Sequence, residues 1–172
     1  MVNRITNLFA EGKVVYTDGG VLAEFAWVLV VLPFVAALII TFIGKSLPMK
    51  GAEVALGTIG IIFVYSVALM FLHITEGIAN EFFINVGSIG QFDIEFGWVV
   101  DGLSIMMYFV VGLVALLVFI YATNYMEGEI RYTFFFTSLT LFAGSMLVLV
   151  SSPTLIQILI GWELVGVCSY LL

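Results

Sequence analysis

Charged side chains are scarce in this chain. They make up 10% of its 172 residues, whereas 63% are hydrophobic. A soluble domain of this size carries about a quarter charged residues, because its surface must face water. The sequence therefore predicts a protein embedded in a lipid bilayer. The acidic balance, a net charge of −7, argues against nucleic acid as a partner.

Cysteine and histidine are almost absent, with one copy of each, Cys168 and His73. This chain alone can form no disulfide and cannot ligate an iron–sulfur cluster. A haem with two protein ligands, or a zinc site of His and Cys, is also disfavoured. No glycine-rich nucleotide or phosphate motif is present. We expect no cofactor, no metal and no redox chemistry on this chain.

The hydrophobic residues fall in five long runs, each about long enough to cross a hydrocarbon core of ~30 Å. They predict an all-α fold, a polytopic transmembrane bundle of about five helices over residues 22–172, after a polar tail at 1–21 that lacks the pattern of a signal peptide. The predicted helices lie near residues 22–43, 54–72, 103–125, 132–150 and 154–172. The last run reaches the end of the sequence without a cap, so we expect a fragment of a larger subunit.

One sizeable segment outside the membrane is expected, at residues 73–101. Within it, residues 91–96 alternate polar and apolar, which favours a short surface hairpin, although an irregular loop remains open. Lys45 and Lys50 lie in the first connection and Arg131 in the third. Basic residues concentrate on the cytoplasmic side, so the segment 73–101 is expected to be external.

Glu163 is the residue that an inert membrane helix would not contain. It lies nine positions after Thr154, about 13–14 Å along a helix and close to the bilayer midplane. A lone carboxylate there costs at least ~2.5–3.5 kcal/mol. A cationic partner, a water-filled cavity or protonation would offset that cost, and all three are properties of a proton path. The alternative is a neutral glutamate that only joins helices by hydrogen bonds.

The residues that share the face of Glu163 on the predicted fifth helix are mostly apolar, and two glycines lie nearby. Gly161 and Gly166 would let another helix approach closely. No lysine or arginine is expected at membrane depth within residues 22–172. Four residues of the fourth helix share one face and could either hold water near Glu163 or form a packing seam: Thr137, Ser138, Gly144 and Ser145.

Residues 161–172 read GWELVGVCSYLL and closely resemble the GWE-x-VG-x-CSYLL signature of the L subunit of respiratory complex I, the NADH:quinone oxidoreductase. Further matches follow in the family's order, at residues 32–33, 100–104, 125–126 and 131–134. The chain is thus similar to the amino-terminal part of an antiporter-like subunit.

That resemblance implies a proton-translocating membrane subunit of complex I, with Glu163 coupling quinone reduction elsewhere in the complex to proton transfer. In the family this glutamate pairs with a lysine on a later helix, which residues 1–172 do not include. The implied partners are other membrane subunits of complex I and the lipid bilayer. FMN, iron–sulfur clusters, NADH and quinone are expected on other subunits. A bacterial cell membrane is favoured over the mitochondrial inner membrane.

Two other functions remain open at this point. One is a related subunit of a cation/proton antiporter or of an inorganic-carbon uptake complex, which shares this helix pattern. The other is a helical scaffold that translocates nothing and in which Glu163 is inert.

Overall fold

The computed structural model describes residues 17–18, 20–89 and 92–172. Most of the predicted tail 1–21, and residues 90–91 at the start of the predicted alternating segment, lie outside the described residues. In chain order the elements are β1 Thr17–Asp18, α1 Gly20–Glu24, α2 Trp27–Ile43, a 3-10 turn at Gly44–Ser46, α3 Ala52–Glu76, β2 Ile78–Ile89, β3 Phe92–Val100, α4 Gly102–Tyr125, α5 Tyr132–Ser151 and α6 Leu155–Leu171.

Four of these helical segments are long and apolar enough to cross a membrane: Trp27–Ser46, α3, α4 and α5. The fifth, α6, is apolar and has 17 residues, which gives a length of about 25 Å. The predicted class, an all-α transmembrane bundle, is confirmed. The described chain adds a β-hairpin to it.

Local side-chain chemistry sets several helix ends. Asp101 is the N-cap of α4 and accepts a hydrogen bond from the backbone N–H of Ser104 at 2.7 Å. Thr154 caps α6 in the same way. At the end of α3, Gly77 adopts a left-handed conformation (φ 65°) and its N–H binds the carbonyl of His73.

The first apolar run differs from the single helix expected over 22–43, because it is divided at Phe25 and Ala26 between α1 and α2. The hydroxyl of Tyr65 on α3 donates a hydrogen bond of 2.6 Å to the carbonyl of Leu22. Ala26 N–H instead binds the carbonyl of Ala23 at 3.3 Å. The Leu22 carbonyl, which would accept from Ala26 N–H in a continuous α-helix, is thus bound by α3 at the point where the helix breaks.

The segment predicted to be external contains a longer hairpin than the alternating residues suggested. Strands β2 and β3 pair antiparallel, with an irregularity between Asn85 and Gly87, and β1 pairs parallel with β2. Strand β3 continues past Gly97 to Val100. A Cβ at residue 97 would lie 1.9 Å from the carbonyl oxygen of Phe82. The glycine therefore permits close pairing rather than marking the strand's end.

The core lies between α2, α3, α4 and α5, where small residues let helices approach. For example, a Cβ on Gly144 of α5 would be 3.0 Å from Pro33 of α2. The largest fully buried side chains include Tyr108, Phe119, Phe136, Leu29 and Ile40. Helix α6 packs against α5 at the edge of this core, which leaves much of its surface exposed.

Candidate proton site on helix α6

Helix α6 has one buried face, directed at α5. Gln157, Gly161 and Cys168 form it, at intervals of four and seven residues that fall on one side of a helix. A Cβ on Gly161 would lie 2.9 Å from the Cα of Leu149. The Sγ of Cys168 lies 3.8 Å from the Oγ of Ser145. These contacts fix which side of α6 faces the rest of the described chain.

Glu163 lies on the other side of α6. It is two residues beyond Gly161, a rotation of about 200° around the helix axis, and its side chain is exposed. It is the middle residue of Leu155–Leu171 and lies about 12 Å from the start of that helix. Its exposed neighbours are apolar or aromatic: Leu159, Trp162, Val167 and Tyr170.

No described residue provides a hydrogen bond or an ion pair to Glu163. The basic residues of the connections lie elsewhere: Lys45 in the 3-10 turn, Lys50 before α3 and Arg131 as the N-cap of α5. A carboxylate is thus presented at the centre of an apolar helix surface. Such a group either binds a partner or a proton, or it carries an energetic cost of several kcal/mol, ~2.5–3.5 on insertion scales.

The small and hydroxyl residues of α5 make their contacts without Glu163. Thr137 and Ser145 donate to carbonyls one turn earlier on their own helix, at 3.0 and 2.8 Å. Ser138 is buried, and Gly144 packs against α2. Of the two interpretations left open by the sequence, the packing seam is the one that these contacts support.

Gln157 is the polar residue of α6 that sequence reasoning missed. It is 7% exposed, and its side-chain amide pairs with both polar groups of one backbone residue, Gly97 of β3. Oε1 accepts from Gly97 N–H at 2.9 Å, and Nε2 donates to the Gly97 carbonyl at 2.8 Å. A glutamine in the first turn of an apolar helix was the available signal, but its partner lies 60 residues earlier in the chain.

Histidine and cysteine have local roles. The Nδ1 of His73 lies 2.7 Å from the carbonyl oxygen of Ile78, where α3 meets β2, and Cys168 is buried against α5. Across residues 17–18, 20–89 and 92–172, no three His, Cys, Asp or Glu side chains are grouped so that they could hold a metal ion. The absence of cofactors from this chain stays a prediction.

Comparison with known proteins agrees with the family resemblance found in the sequence. Residues 87–136 match the family described as NADH-Ubiquinone oxidoreductase (complex I), chain 5 N-terminus. The chain is 40% identical over 159 residues to the NAD(P)H-quinone oxidoreductase chain 5 of Synechocystis sp.. It is 36% identical over 156 residues to the NAD(P)H-quinone oxidoreductase subunit 5 of the Paulinella chromatophora chromatophore, and equally so to the chloroplast subunit 5 of Chlorokybus atmophyticus.

These alignments cover 87–88% of this chain but only 23–24% of each relative. The chain therefore spans about a quarter of the length of the curated relatives it matches. The predicted resemblance to the amino-terminal part of this membrane subunit is confirmed.

Proposed function

We infer, from the similarity to the amino-terminal part of chain 5 of NAD(P)H-quinone oxidoreductases, that the whole protein is a proton-translocating membrane subunit of such a complex. Quinone reduction takes place elsewhere in the complex, and Glu163 takes part in the proton transfer coupled to it. Other membrane subunits and the lipid bilayer are its partners. We propose a bacterial cell membrane as its location, in preference to the mitochondrial inner membrane.

The position of Glu163 carries this proposal. An ionised carboxylate is unfavourable at the centre of a membrane helix, whereas its protonated form is far less so. The balance between the two forms then depends on what approaches the exposed face of α6: a cation or water favours the ionised form, and an apolar side chain favours the protonated one. A group that alternates between these surroundings takes up and releases a proton.

The other carboxylates of the described chain are less suited to this role. Glu127 and Glu129 lie in the connection between α4 and α5, and Glu81 is exposed on the hairpin. Glu53 lies in the first turn of α3, where one of its oxygens accepts a hydrogen bond of 2.8 Å from Met49 N–H. Only Glu163, among the described acidic residues, lies midway along an apolar helix.

Glu163→Gln in the full-length protein tests the proposal. Glutamine keeps the size and the hydrogen-bonding capacity but cannot release a proton. We expect the complex to assemble and the number of protons pumped per NAD(P)H oxidised to fall at least fivefold, measured in membrane vesicles.

The matched control is Glu129→Gln, which removes a carboxylate from a connection and should pump like the parent. If Glu163→Gln assembles and pumps like the parent, Glu163 is structural and the scaffold interpretation holds.

A further inference from the structure

The contacts that hold α6 to the rest of the described chain are of two kinds. The backbone of Gly161 packs close to Leu149 of α5, and the Cys168 Sγ makes one weak hydrogen bond of 3.8 Å with the Ser145 Oγ. Such contacts resist separation of the helices more than they oppose sliding or rotation. The amide of Gln157 is different, because it makes two hydrogen bonds to Gly97. Two hydrogen bonds to one backbone residue fix both the position of a helix along its axis and its rotation about that axis.

Gly97 is a firm anchor. It pairs with Phe83 in the hairpin, and its Cα lies against the Phe82 carbonyl with no room for a side chain. The adjacent ring of Trp98 stacks on Phe82 with centroids 4.5 Å apart. One residue further on, the carbonyl of Val99 accepts a hydrogen bond of 3.3 Å from the buried Tyr108 of α4. The hairpin thus connects α6 to α4.

The geometry points to Gln157 as a positioning residue for Glu163. The two residues are six positions apart on one uninterrupted helix, about 9 Å along its axis. A helix transmits a shift at its first turn to its middle almost rigidly. The Gln157–Gly97 pair therefore sets the depth and direction at which the Glu163 carboxylate meets its proton donors and acceptors. This inference rests on the proposed function of Glu163.

Gln157→Met in the complete complex is the first test. Methionine has a similar length and volume, and it removes both hydrogen bonds without adding a charge. We expect the complex to assemble, electron transfer to persist and the protons pumped per electron pair to fall at least twofold. A second readout is independent of pumping: the rate at which a lipid-soluble carbodiimide modifies Glu163, measured by peptide mass spectrometry, should change at least threefold.

Ser104→Ala is the control, because it also removes a hydrogen bond between elements at the same end of the bundle. The Ser104 hydroxyl lies 3.5 Å from the carbonyl of Val150, so it links α4 to α5 and not to α6. Both readouts should match the parent in this variant, even if thermal stability falls slightly. A general loss of rigidity would instead affect the two variants alike.

The outcomes separate the two proposals. If Gln157→Met assembles with both readouts like the parent, the positioning role is wrong. If the carbodiimide rate changes in Gln157→Met while Glu163→Gln pumps normally, the positioning stands and the proposed function fails. If Gln157→Met does not assemble, Gln157→Asn replaces it, since that side chain keeps the neutral amide. It is one methylene shorter, so both hydrogen bonds to Gly97 are weakened and the same changes in smaller measure are expected.

Discussion

Glu163 and Gln157 lie on the same helix but differ in burial and in hydrogen bonding. Gln157 is buried, and both of its amide groups are satisfied by Gly97. Glu163 is exposed on an apolar face. A satisfied buried amide restricts motion, whereas a carboxyl that has no partner among the described residues of a membrane helix responds to whatever approaches it. One residue is thus suited to fix α6 and the other to change its charge.

Glu163→Asp should be milder than Glu163→Gln. Aspartate retains a titratable carboxyl group but withdraws it by one methylene, so proton transfer is slowed by distance rather than abolished. We expect the proton-to-electron ratio in vesicles to lie between those of the parent and Glu163→Gln. An aspartate variant as inactive as the glutamine variant would mean that the exact reach of the side chain, and not its charge alone, is required.

Gly161→Ala should weaken the contact between α5 and α6. The added Cβ would lie 2.9 Å from the Cα of Leu149, and backbone atoms cannot move aside as a flexible side chain can. Overpacking of this kind costs about 1–3 kcal/mol. We expect less assembled complex and a lower thermal stability in detergent. Gly57→Ala on α3 is the control, since nothing lies within 4 Å of its Cβ position, and it should leave both measurements unchanged.

At the scale of elements, the sequence predicted what depends on neighbouring residues. The apolar runs give the membrane helices, and Asp101 marks the start of α4. Two features depend on pairs far apart in the chain: the break between α1 and α2, which follows the Tyr65–Leu22 bond, and the Gln157–Gly97 pair. A hydropathy pattern carries no information about contacts between residues so far apart in the chain. Glu163 stands out as a candidate because a charge within an apolar run is a local anomaly, and its role stays a prediction.

The hairpin offers a prediction at this scale. In Gly97→Ala the new methyl group would collide with the carbonyl of Phe82, so β2 and β3 must separate and the Gln157 bonds must lengthen. We expect faster protease cleavage within residues 78–100 and a loss of pumping similar to that of Gln157→Met. Gly87→Ala, in the irregular part of β2 with no atom within 4 Å of its Cβ position, should be cleaved like the parent. Equal cleavage of both variants would contradict this account.

At the scale of the whole molecule, the two ends of the bundle differ in charge. Thr133 at the start of α5 donates a hydrogen bond of 3.1 Å to the carbonyl of Lys50, so the first and third connections meet at one end. Lys45, Lys50 and Arg131 all belong to that end. Helix α3 runs from that end to the hairpin. The segment 73–101, which contains acidic residues but no Lys or Arg, therefore lies at the opposite end.

This asymmetry predicts the orientation in the membrane. Because basic residues are retained on the cytoplasmic side, Lys50 should face the cytoplasm and the hairpin residue Glu81 the exterior. Both positions are exposed, and the native Cys168 is buried, so single cysteines can be introduced and labelled with a membrane-impermeant maleimide. In sealed, right-side-out vesicles Glu81→Cys should react and Lys50→Cys should react only after the membrane is made permeable. The reverse pattern would invert the topology, and it would place the Gln157–Gly97 pair at the cytoplasmic end of α6.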